Sequence, residues 1–447
     1  MKILLVQPDE RILPGLNFGG LMVLEPMALE LLAGSIPEHT VKIIDMRMAK
    51  SPLSYYLSEF KPDVVGVTGV TALHDSMQNI ITRSKAYGAF TVAGGCHASF
   101  AYRQFYDLDV VVVGEGEGSF RMLISALETN SSLEEVPNLQ IHKDNEWVPT
   151  KHVALDEWPL PRRDLVEGNK YTLFGKDFLV MEATRGCPHR CKFCVTPHLF
   201  KGRYRVRPVE QVVDYIASKL QPIILFPDSD FLASSKYAWS LLEAIKRSGL
   251  RKKYMIMVRS DEITAEPELI REWGKAGLLS VFIGYEGIDQ IQLNKFNKDN
   301  LISNNEQAVS ILDECGVISI GTLIVDPSWE VEDFRKARAY SRKLESDVTL
   351  FSILTPFPGT DIFPEYEIIE DYHNFDVIHP VVKTFLPPTQ FQREFLKLAK
   401  ATISDHSFKL GRKLVKHGLL NVIPKVVFGL AQYIRKMGNT EGYKTHE

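Results

Sequence analysis

Three closely spaced cysteines are the residues of this sequence whose type and spacing most directly indicate chemistry. Cys187, Cys191 and Cys194 have the spacing C-x3-C-x2-C, and the whole chain contains only five cysteines. Three thiolates on one loop can bind three irons of a 4Fe–4S cluster, whose full ligation takes four cysteines. The fourth iron then keeps an open position, as catalytic metal sites do when they bind a substrate or cofactor directly.

The same cysteines also allow two simpler interpretations. One is a structural zinc site, in which His189 or His198 supplies the fourth ligand, and the other is three unconnected thiols. Clustering of this kind argues against a disulfide scaffold and for a reducing compartment. We expect the basic neighbours of the cysteines to lower the thiol pKa and to offset the charge of a cluster; these neighbours are Arg185, Arg190 and Lys192.

The cysteine loop directly follows a strand in a region where strands and helices alternate. Six buried apolar segments are predicted as strands, at 178–182, 223–226, 254–258, 280–284, 318–325 and 348–354. Because helical segments separate them, they predict a partial (β/α)6 TIM barrel. In such a barrel the functional residues lie at the carboxyl ends of the strands.

In this setting the cysteine segment resembles the signature of the radical S-adenosylmethionine (SAM) superfamily. The signature C-x3-C-x-aromatic-C stands here as Cys187, Cys191, Phe193 and Cys194. The resemblance implies that the cysteines bind a 4Fe–4S cluster whose open iron binds SAM. Reductive cleavage of SAM would give a 5′-deoxyadenosyl radical, with an electron supplied by a donor such as flavodoxin or ferredoxin. Phe193 would contact the adenine.

Later strand ends look like further motifs of this superfamily. The segment 226–231 is similar to its acidic F-x-D-D-x-F element, 284–287 resembles its G-x-E-S element, and 355–360 looks like its T-P-x-P-G-T turn. Each of these alone is more often structural, but together they follow the cysteine triplet in the family's order. The resemblance implies four further SAM-binding candidates, which are Asp228, Ser229, Arg259 (for the carboxylate) and Glu286 (for the amino group or ribose).

The first 125 residues also alternate between strands and helices. Valine-rich strands are predicted at 2–7, 41–45, 64–68, 90–93 and 110–113. Continuous apolar runs separated by helices predict a parallel, doubly wound sheet. Glycine-containing turns follow the last three strands, where ligands bind in such sheets and where glycine lets the backbone approach them.

This sheet resembles the cobalamin-binding domain that precedes the barrel in one large radical SAM subclass. The segments 62–68, 92–98 and 112–117 carry the resemblance. The D-x-H-x-x-G motif of enzymes that bind cobalt through histidine is missing, because 45–50 reads DMRMAK. The resemblance therefore implies base-off cobalamin with no histidine ligand. The candidate cobalamin contacts are Thr68, Gly69, Val70, Thr71, Gly94, Gly95, Cys96, His97, Glu115, Gly116 and Glu117.

Several of these assignments have alternatives. His97 and His74 lie in different loops, and a surface or capping role is as plausible for each as cobalamin contact. Cys96 either lines the corrin or is a small buried residue, and Cys315 is predicted to pack in a core. The domain itself has the alternative of an ordinary nucleotide-binding unit, although neither G-x-G-x-x-G nor a P-loop motif occurs at its strand ends.

The chain is thus predicted to contain four regions. These are a Rossmann-like cobalamin-binding domain at 1–140, a linker with one small hairpin at 141–175, a radical SAM barrel at 176–365 and a C-terminal helical region at 366–447. Residues 381–447 contain 12 Lys and Arg against 4 Asp and Glu. This basic region either makes peripheral contact with a membrane or a hydrophobic substrate, or simply packs with a solvated basic face.

Composition limits the functional classes. The net charge of −4 argues against binding nucleic acid through bulk positive charge. Neither a signal peptide nor a transmembrane segment is recognised, so we expect a cytoplasmic enzyme. The resemblance implies a cobalamin-dependent C-methyltransferase that acts on an unactivated carbon of a small, hydrophobic natural product or tetrapyrrole. The alternatives are a cyclase or rearrangement enzyme with the same cofactors, and a non-catalytic iron–sulfur or cobalamin sensor.

Overall fold

Two sheets of seven strands organise the molecule. The computed structural model describes residues 1–9, 22–166, 168–173 and 175–439. In each sheet the central strands are parallel and are joined by helices. The α/β class that the sequence predicts is confirmed.

The first sheet has the strand order β2-β1-β3-β4-β5-β6-β7. Its first five strands pair in parallel, whereas β6 and β7 form an antiparallel hairpin that extends the sheet from β5. The sequence predicts one small hairpin in the linker at 141–175, whereas this hairpin begins at Leu139 and is part of the first sheet. The strands are β1 (Lys2–Gln7), β2 (Thr40–Asp45), β3 (Val64–Thr68), β4 (Phe90–Gly94), β5 (Val110–Val112), β6 (Leu139–Lys143) and β7 (Glu146–Pro149).

Helices cover both faces of this sheet, as expected for a doubly wound fold. Leu29 of α1 and Phe120 of α5 pack on one face, and Leu57 of α2 and Met77 of α3 pack on the other. The order 2-1-3-4-5 places ligands at the carboxyl ends of the strands. The helices are α1 (Met27–Gly34), α2 (Leu53–Phe60), α3 (His74–Ala86), α4 (Gly95–Ala101) and α5 (Glu117–Thr129).

The second sheet is the open barrel, with the order β16-β15-β14-β13-β12-β9-β8. Six of its strands are parallel, and β8 pairs antiparallel at one edge. The predicted partial (β/α)6 barrel is therefore confirmed. The strands of this half of the chain are β8 (Thr172–Leu173), β9 (Lys176–Val180), β10 (Thr184–Arg185), β11 (Arg205–Val206), β12 (Ile223–Leu225), β13 (Lys253–Val258), β14 (Leu278–Glu286), β15 (Ile318–Val325) and β16 (Val348–Ile353).

Side chains alternate between the two faces of the barrel strands. In β13, Tyr254, Ile256 and Val258 are buried against the outer helices, so Met255 and Met257 point to the inner face. The helices are α6 (Thr196–Leu199), α7 (Val209–Ala217), α8 (Ser235–Ser248), α9 (Ser260–Ala265), α10 (Pro267–Ala276), α11 (Gln290–Lys295), α12 (Ile302–Cys315) and α13 (Val331–Leu344).

The C-terminal region contacts both halves of the molecule. Phe375 and Val381 belong to the core beneath α2 and α3 of the first sheet. Beyond them, α14 (Pro388–Lys416) packs on α13 and β16, and α15 (Ile423–Met437) packs on α14. Among the residues that the structure describes, no helix is both long enough and apolar enough to cross a membrane.

Candidate active site

Backbone contacts fix the start of the cysteine loop. Both carboxylate oxygens of Asp228 accept backbone N–H bonds, from Ala183 at 3.1 Å and from Thr184 at 2.7 Å. Gly186, with a φ of +87°, lies so close to the backbone of Arg203 that a Cβ would overlap it. Asp228 is 2% exposed, and burial raises its pKa well above the usual range. Asp228 thus holds the backbone at the start of the loop, and its contact with SAM stays a prediction.

The far side of the cysteine loop is attached to the segment after α11. Backbone N–H of Lys192 donates to the carbonyl of Phe296 at 3.0 Å, and Asn297 Nδ2 donates to the carbonyl of Arg190 at 2.8 Å. The half-buried ring of Phe193 packs edge-on against Phe296, with ring centroids 5.5 Å apart. These contacts hold the predicted adenine contact, Phe193, beside the cysteines.

The three thiols lie close enough together to affect one another's ionisation. Cys191 is buried, and Cys187 and Cys194 are half-buried. Burial above all, together with Asp230 and the other two cysteines, raises the pKa of the Cys187 thiol to about 12. Three sulfurs on one loop are the donor set that a 4Fe–4S cluster with one open iron requires. The residues present therefore fit the predicted cluster.

The cations that face the thiols come from outside the cysteine loop. Arg259 Nη1 lies 4.0 Å from Cys191 Sγ. Burial raises the pKa of Cys191, while Lys298 and Arg259 act in the opposite direction. Arg259 also donates from Nη2 to the carbonyls of Lys298 and Asp299, both at 2.8 Å. Lys298 was not predicted, because it follows a helix and belongs to no strand-end motif.

The expectation that the basic neighbours in the loop lower the thiol pKa is wrong. The side chain of Arg185 turns away to acidic partners, Lys192 pairs with Glu365 at 3.7 Å, and Arg190 is exposed. The pKa values of both Cys187 and Cys191 are raised instead of lowered. Basic residues that neighbour the cysteines in the sequence therefore do not place their charges beside the sulfurs.

Glu286 sits at the end of β14 in an unusual backbone conformation. Its φ is +62°, and the pairing of β14 with β15 shifts register between Gly284 and Glu286. Its Oε1 lies 3.3 Å from Lys298 Nζ. A Cβ on Gly284 would overlap the Glu286 carboxylate. Strained backbone at a strand end is characteristic of binding sites, and it supports the choice of Glu286 as a site residue.

A histidine–carboxylate group adjoins Cys187. His189 Nε2 lies 3.4 Å from Asp230 and 3.8 Å from Glu262, and Asp230 Oδ2 lies 3.8 Å from Cys187 Sγ. Hydrogen bonds to these carboxylates raise the pKa of His189 to about 9. Asp230 and Glu262 were not selected from the sequence, although Asp230 belongs to the quoted acidic motif. Ser229, which was selected, is exposed.

Both histidines considered as a fourth zinc ligand are paired with carboxylates. His189 faces Asp230 and Glu262, and His198 Nε2 lies 3.0 Å from Asp361. Neither pairing involves a cysteine. The described geometry therefore favours the iron–sulfur interpretation of the triplet.

A cleft of about 890 Å³ opens between the first sheet and its helices α1 and α5. Glycines at the ends of the strands form one wall, and apolar side chains such as Leu32 and Phe120 form the other. A flat heterocycle fits between walls of this kind. Six of the predicted cobalamin contacts line the cleft: Thr68, Gly94, Gly95, Glu115, Gly116 and Glu117.

The other predicted cobalamin contacts do not line this cleft. Thr71 and His97 are buried, and His97 Nε2 lies 2.9 Å from His74 Nδ1, with the rings of Phe105 and Tyr372 around the pair. Burial lowers the pKa of His97 to about 3. Thr71 and His97 therefore lie outside this cleft, and their contact with cobalamin stays a prediction. Of the remaining residues, Cys96 is half-buried, and Gly69 and Val70 follow β3 near the surface.

The carboxyl ends of the two sheets face each other. Arg185, just before the cysteines, donates to Glu115 at 3.1 Å and pairs with Glu117 at 2.8 Å; both acids follow β5 of the first sheet. Gly359, in the turn after β16, lies against the ring of Phe100 in α4. These contacts place the cysteine loop beside the glycine-lined cleft.

The inner face of the barrel is apolar. In β13, β14 and β15, every second residue along part of the strand is only half-buried, and so is the last residue of β12. The residues between them are buried against the outer helices. Because the two sets point to opposite faces, the half-buried set lines the interior below the cysteine loop. It includes Leu225, Met255, Met257, Phe282 and Ile320.

Comparison with known proteins identifies both halves of the chain. Residues 21–124 match the family model of the B12 binding domain, and residues 181–340 match that of the radical SAM superfamily. The hopanoid C-3 methylase of Methylococcus capsulatus is 30% identical over 424 residues, which cover 91% of this chain and 81% of that protein. The chain belongs to the cobalamin-binding radical SAM enzymes.

The chain is also similar to a cyclase and to a methyltransferase of known structure. The anaerobic magnesium-protoporphyrin IX monomethyl ester cyclase of Cereibacter sphaeroides is 26% identical, over 78% of this chain and 61% of the cyclase. The solved structure of the radical SAM methyltransferase TsrM from Kitasatospora setae superimposes with a TM-score of 0.67 at 20% identity. That superposition covers 82% of this chain and 77% of TsrM. The TsrM structure contains cobalamin and a 4Fe–4S cluster, and its similarity supports the fold.

Proposed function

We propose that this protein is a cobalamin-dependent radical SAM C-methyltransferase that acts on an unactivated carbon of a small hydrophobic substrate. The observation that carries the proposal is the apposition of the cysteine loop and the glycine-lined cleft across the Arg185 contacts. A substrate between the two sheets would be accessible to both cofactors at once, which is the positioning that a two-cofactor reaction requires.

Different residues of the chain would hold the cluster and SAM. When bound, the cluster and SAM supply the radical chemistry, and methylcobalamin supplies the methyl group. Cys187, Cys191 and Cys194 would hold the cluster. Arg259 places its positive charge beside Cys191, and the Glu286 carboxylate at the end of β14 would accept hydrogen bonds from the amino group or ribose of SAM.

The apolar inner face of the barrel is the reason for proposing a hydrophobic substrate. Met255, Met257 and Phe282 are half-buried there, and side chains of this kind bind apolar ligands without a polar partner. The relatives are named for a hopanoid and for a magnesium porphyrin ester. We therefore favour a polycyclic isoprenoid or a tetrapyrrole over a peptide.

We also propose that cobalamin binds in the base-off form, without a histidine ligand to cobalt. Arg47 occupies the position of the histidine in the D-x-H-x-x-G motif. Its guanidinium donates to Asp45 at 2.7 Å and to the carbonyl of Leu24 at 2.6 Å. The cleft between the first sheet and α1 and α5 offers the space for the nucleotide tail of such a cofactor. A reduced flavodoxin or ferredoxin in the cytoplasm would supply electrons.

The test is transfer of label from SAM carrying a deuterated methyl group. The protein is reconstituted anaerobically with iron, sulfide and cobalamin, reduced, and supplied with polycyclic isoprenoids or tetrapyrroles as candidate substrates. We expect 5′-deoxyadenosine together with a product heavier by one labelled methyl group. 5′-Deoxyadenosine and a changed product without label would contradict methyl transfer and support the cyclase or rearrangement reaction, which the cyclase relative favours.

A further inference from the structure

The hairpin formed by α14 and α15 exposes large apolar side chains to solvent. Phe408 is 85% exposed, Leu420 63%, and Val427 and Phe428 61% each. Val415, at 52%, lies seven residues after Phe408 and therefore on the same face of α14. Exposed apolar groups in such number on one short hairpin are unusual for a surface that faces only water.

A groove of about 490 Å³ joins the two helices of the hairpin. The helices run antiparallel, since Gln392 Nε2 near the start of α14 donates to the carbonyl of Met437 at the end of α15, at 2.7 Å. Gly411, between Phe408 and Val415, lines the groove from α14, and Val427 lines it from α15. Of the exposed apolar residues, Val427 lines the groove itself, and Phe408 and Val415 flank its α14 residue Gly411 in the sequence. We call these residues and the groove the hairpin face.

The hairpin face is also strongly basic. From His406 to Asn439 the chain has seven Lys and Arg and no Asp or Glu. Five of these cations form no ion pair with any residue that the structure describes: Arg412, Lys416, Lys425, Arg435 and Lys436. Several exposed cations on the barrel surface are paired with acids: Arg271 with Glu268, Lys275 with Glu272, and Arg335 with Glu332.

We propose that the hairpin face docks on the surface of an anionic lipid membrane. The phenylalanines and valines would enter the boundary of the acyl chains, and the unpaired cations would contact the lipid headgroups. This combination of apolar anchors with free cations is what interfacial helices use, and each basic residue near an anionic surface adds to binding. A second copy that met this face with its own hairpin face would present the same cations and be repelled, so charge complementarity favours anionic lipid over such a pairing.

An apolar layer connects the hairpin face to the barrel interior. Leu410, Leu414 and Ile423 belong to one cluster with Met255 and Ile320 of the inner face. A docked hairpin would therefore place the barrel directly on the membrane in which a hydrophobic substrate dissolves. The docking proposal itself does not depend on methyl transfer, and it is tested without turnover.

The test is sedimentation of the reconstituted full-length protein with lipid vesicles. We expect it to pellet with vesicles of phosphatidylcholine and phosphatidylglycerol, to stay in solution with phosphatidylcholine alone, and to be released by salt. The double variant Phe408→Ser/Phe428→Ser should bind at least about tenfold more weakly. The matched control, Leu220→Ser/Ile291→Ser, removes side chains that are 98% and 80% exposed elsewhere on the barrel, and it should bind like the unchanged protein.

A charge-reversal variant tests whether the cations contribute to vesicle binding, and a check of folding excludes misfolding as the cause of lost binding. Arg412→Glu/Arg435→Glu should lose binding to anionic vesicles, whereas Lys236→Glu on α8 should not. Absorbance of the iron–sulfur cluster verifies that each variant is folded. Absence of pelleting with anionic vesicles would overturn the proposal. Pelleting that neither Phe408→Ser/Phe428→Ser nor Arg412→Glu/Arg435→Glu weakens would also overturn it. A concentration-dependent dimer that Phe408→Ser/Phe428→Ser dissolves in sedimentation velocity would also overturn it, since the face would then bind a second copy.

Discussion

Single residues determine what the cysteine loop can hold and how the interior responds to pH. The thiol of Cys191 is buried and that of Cys187 is half-buried, and the pKa values of both are raised. Binding of a metal cluster makes their thiolate forms favourable at neutral pH, because metal binding replaces the protons of its ligands. The first predictions therefore concern individual side chains.

Replacing one cluster cysteine should remove the cluster. Cys194→Ser leaves two thiols on the loop, so we expect iron content to fall from about four per chain to below about one, with loss of the visible absorbance. Cys315→Ser is the matched control, since this half-buried cysteine packs beside the outer core of the barrel. Equal iron content in both variants would contradict the assignment of the triplet.

A buried carboxylate should make stability depend on pH. Burial and the neighbouring Glu25 raise the pKa of Glu30 from 4.5 to about 8, and Arg163 lies 3.8 Å away. A group with a raised carboxyl pKa binds its proton more tightly in the folded state. Its stabilisation is complete below about pH 4.5 and is lost as pH rises to about 8.

Glu30→Gln removes this titration while keeping the side-chain shape. We therefore expect the variant to gain thermal stability relative to the unchanged protein as pH increases from about 5 to 9. The control Glu314→Gln changes an exposed carboxylate and should show no such trend. Parallel melting curves for Glu30→Gln and the unchanged protein across this pH range would contradict the raised pKa.

At the scale of elements, the strand ends and the turns after them assemble the site. The sequence was sufficient to predict the strands, since buried apolar runs mark them, and the six-strand barrel was confirmed. It was insufficient for Lys298, which faces Cys191 from the segment after α11, and for Glu262 of α9, which pairs with His189. It also misplaced Arg185, because a neighbour in sequence can point to the opposite side of a loop.

The contact between Arg185 and the acids after β5 should stabilise the pairing of the two sheets. Arg185→Met leaves Glu117 and Glu182 buried without their cation, and we expect a loss of about 3 kcal/mol or more in denaturant unfolding. Arg335→Met breaks an exposed pair with Glu332 and should cost at most about 1 kcal/mol. Similar losses in the two variants would show that Arg185 does not link the sheets.

Filling the cleft should separate cobalamin binding from cluster binding. Gly94 has an extended backbone, with φ −154°, and a Cβ there would meet only the carbonyl oxygen of Val112, at 3.6 Å. Gly94→Phe therefore adds bulk to the cleft without backbone strain. We expect cobalamin to be lost on gel filtration while the iron content is unchanged. Retention of cobalamin by this variant would place the cofactor elsewhere.

At the scale of the whole molecule, two sheets of similar design present their carboxyl ends to each other, and the C-terminal region covers parts of both. This arrangement joins the cysteine loop, the glycine-lined cleft and an apolar interior in one chain. It explains why neither half alone would be sufficient for the proposed reaction. The strongest test therefore follows a methyl group from one half to the other.

That measurement is mass spectrometry of the cobalamin recovered from the reconstituted protein after reduction and incubation with SAM carrying a deuterated methyl group. It requires no knowledge of the substrate. The account predicts methylcobalamin that carries the deuterated methyl group. Bound cobalamin that stays unmethylated while 5′-deoxyadenosine accumulates would contradict it.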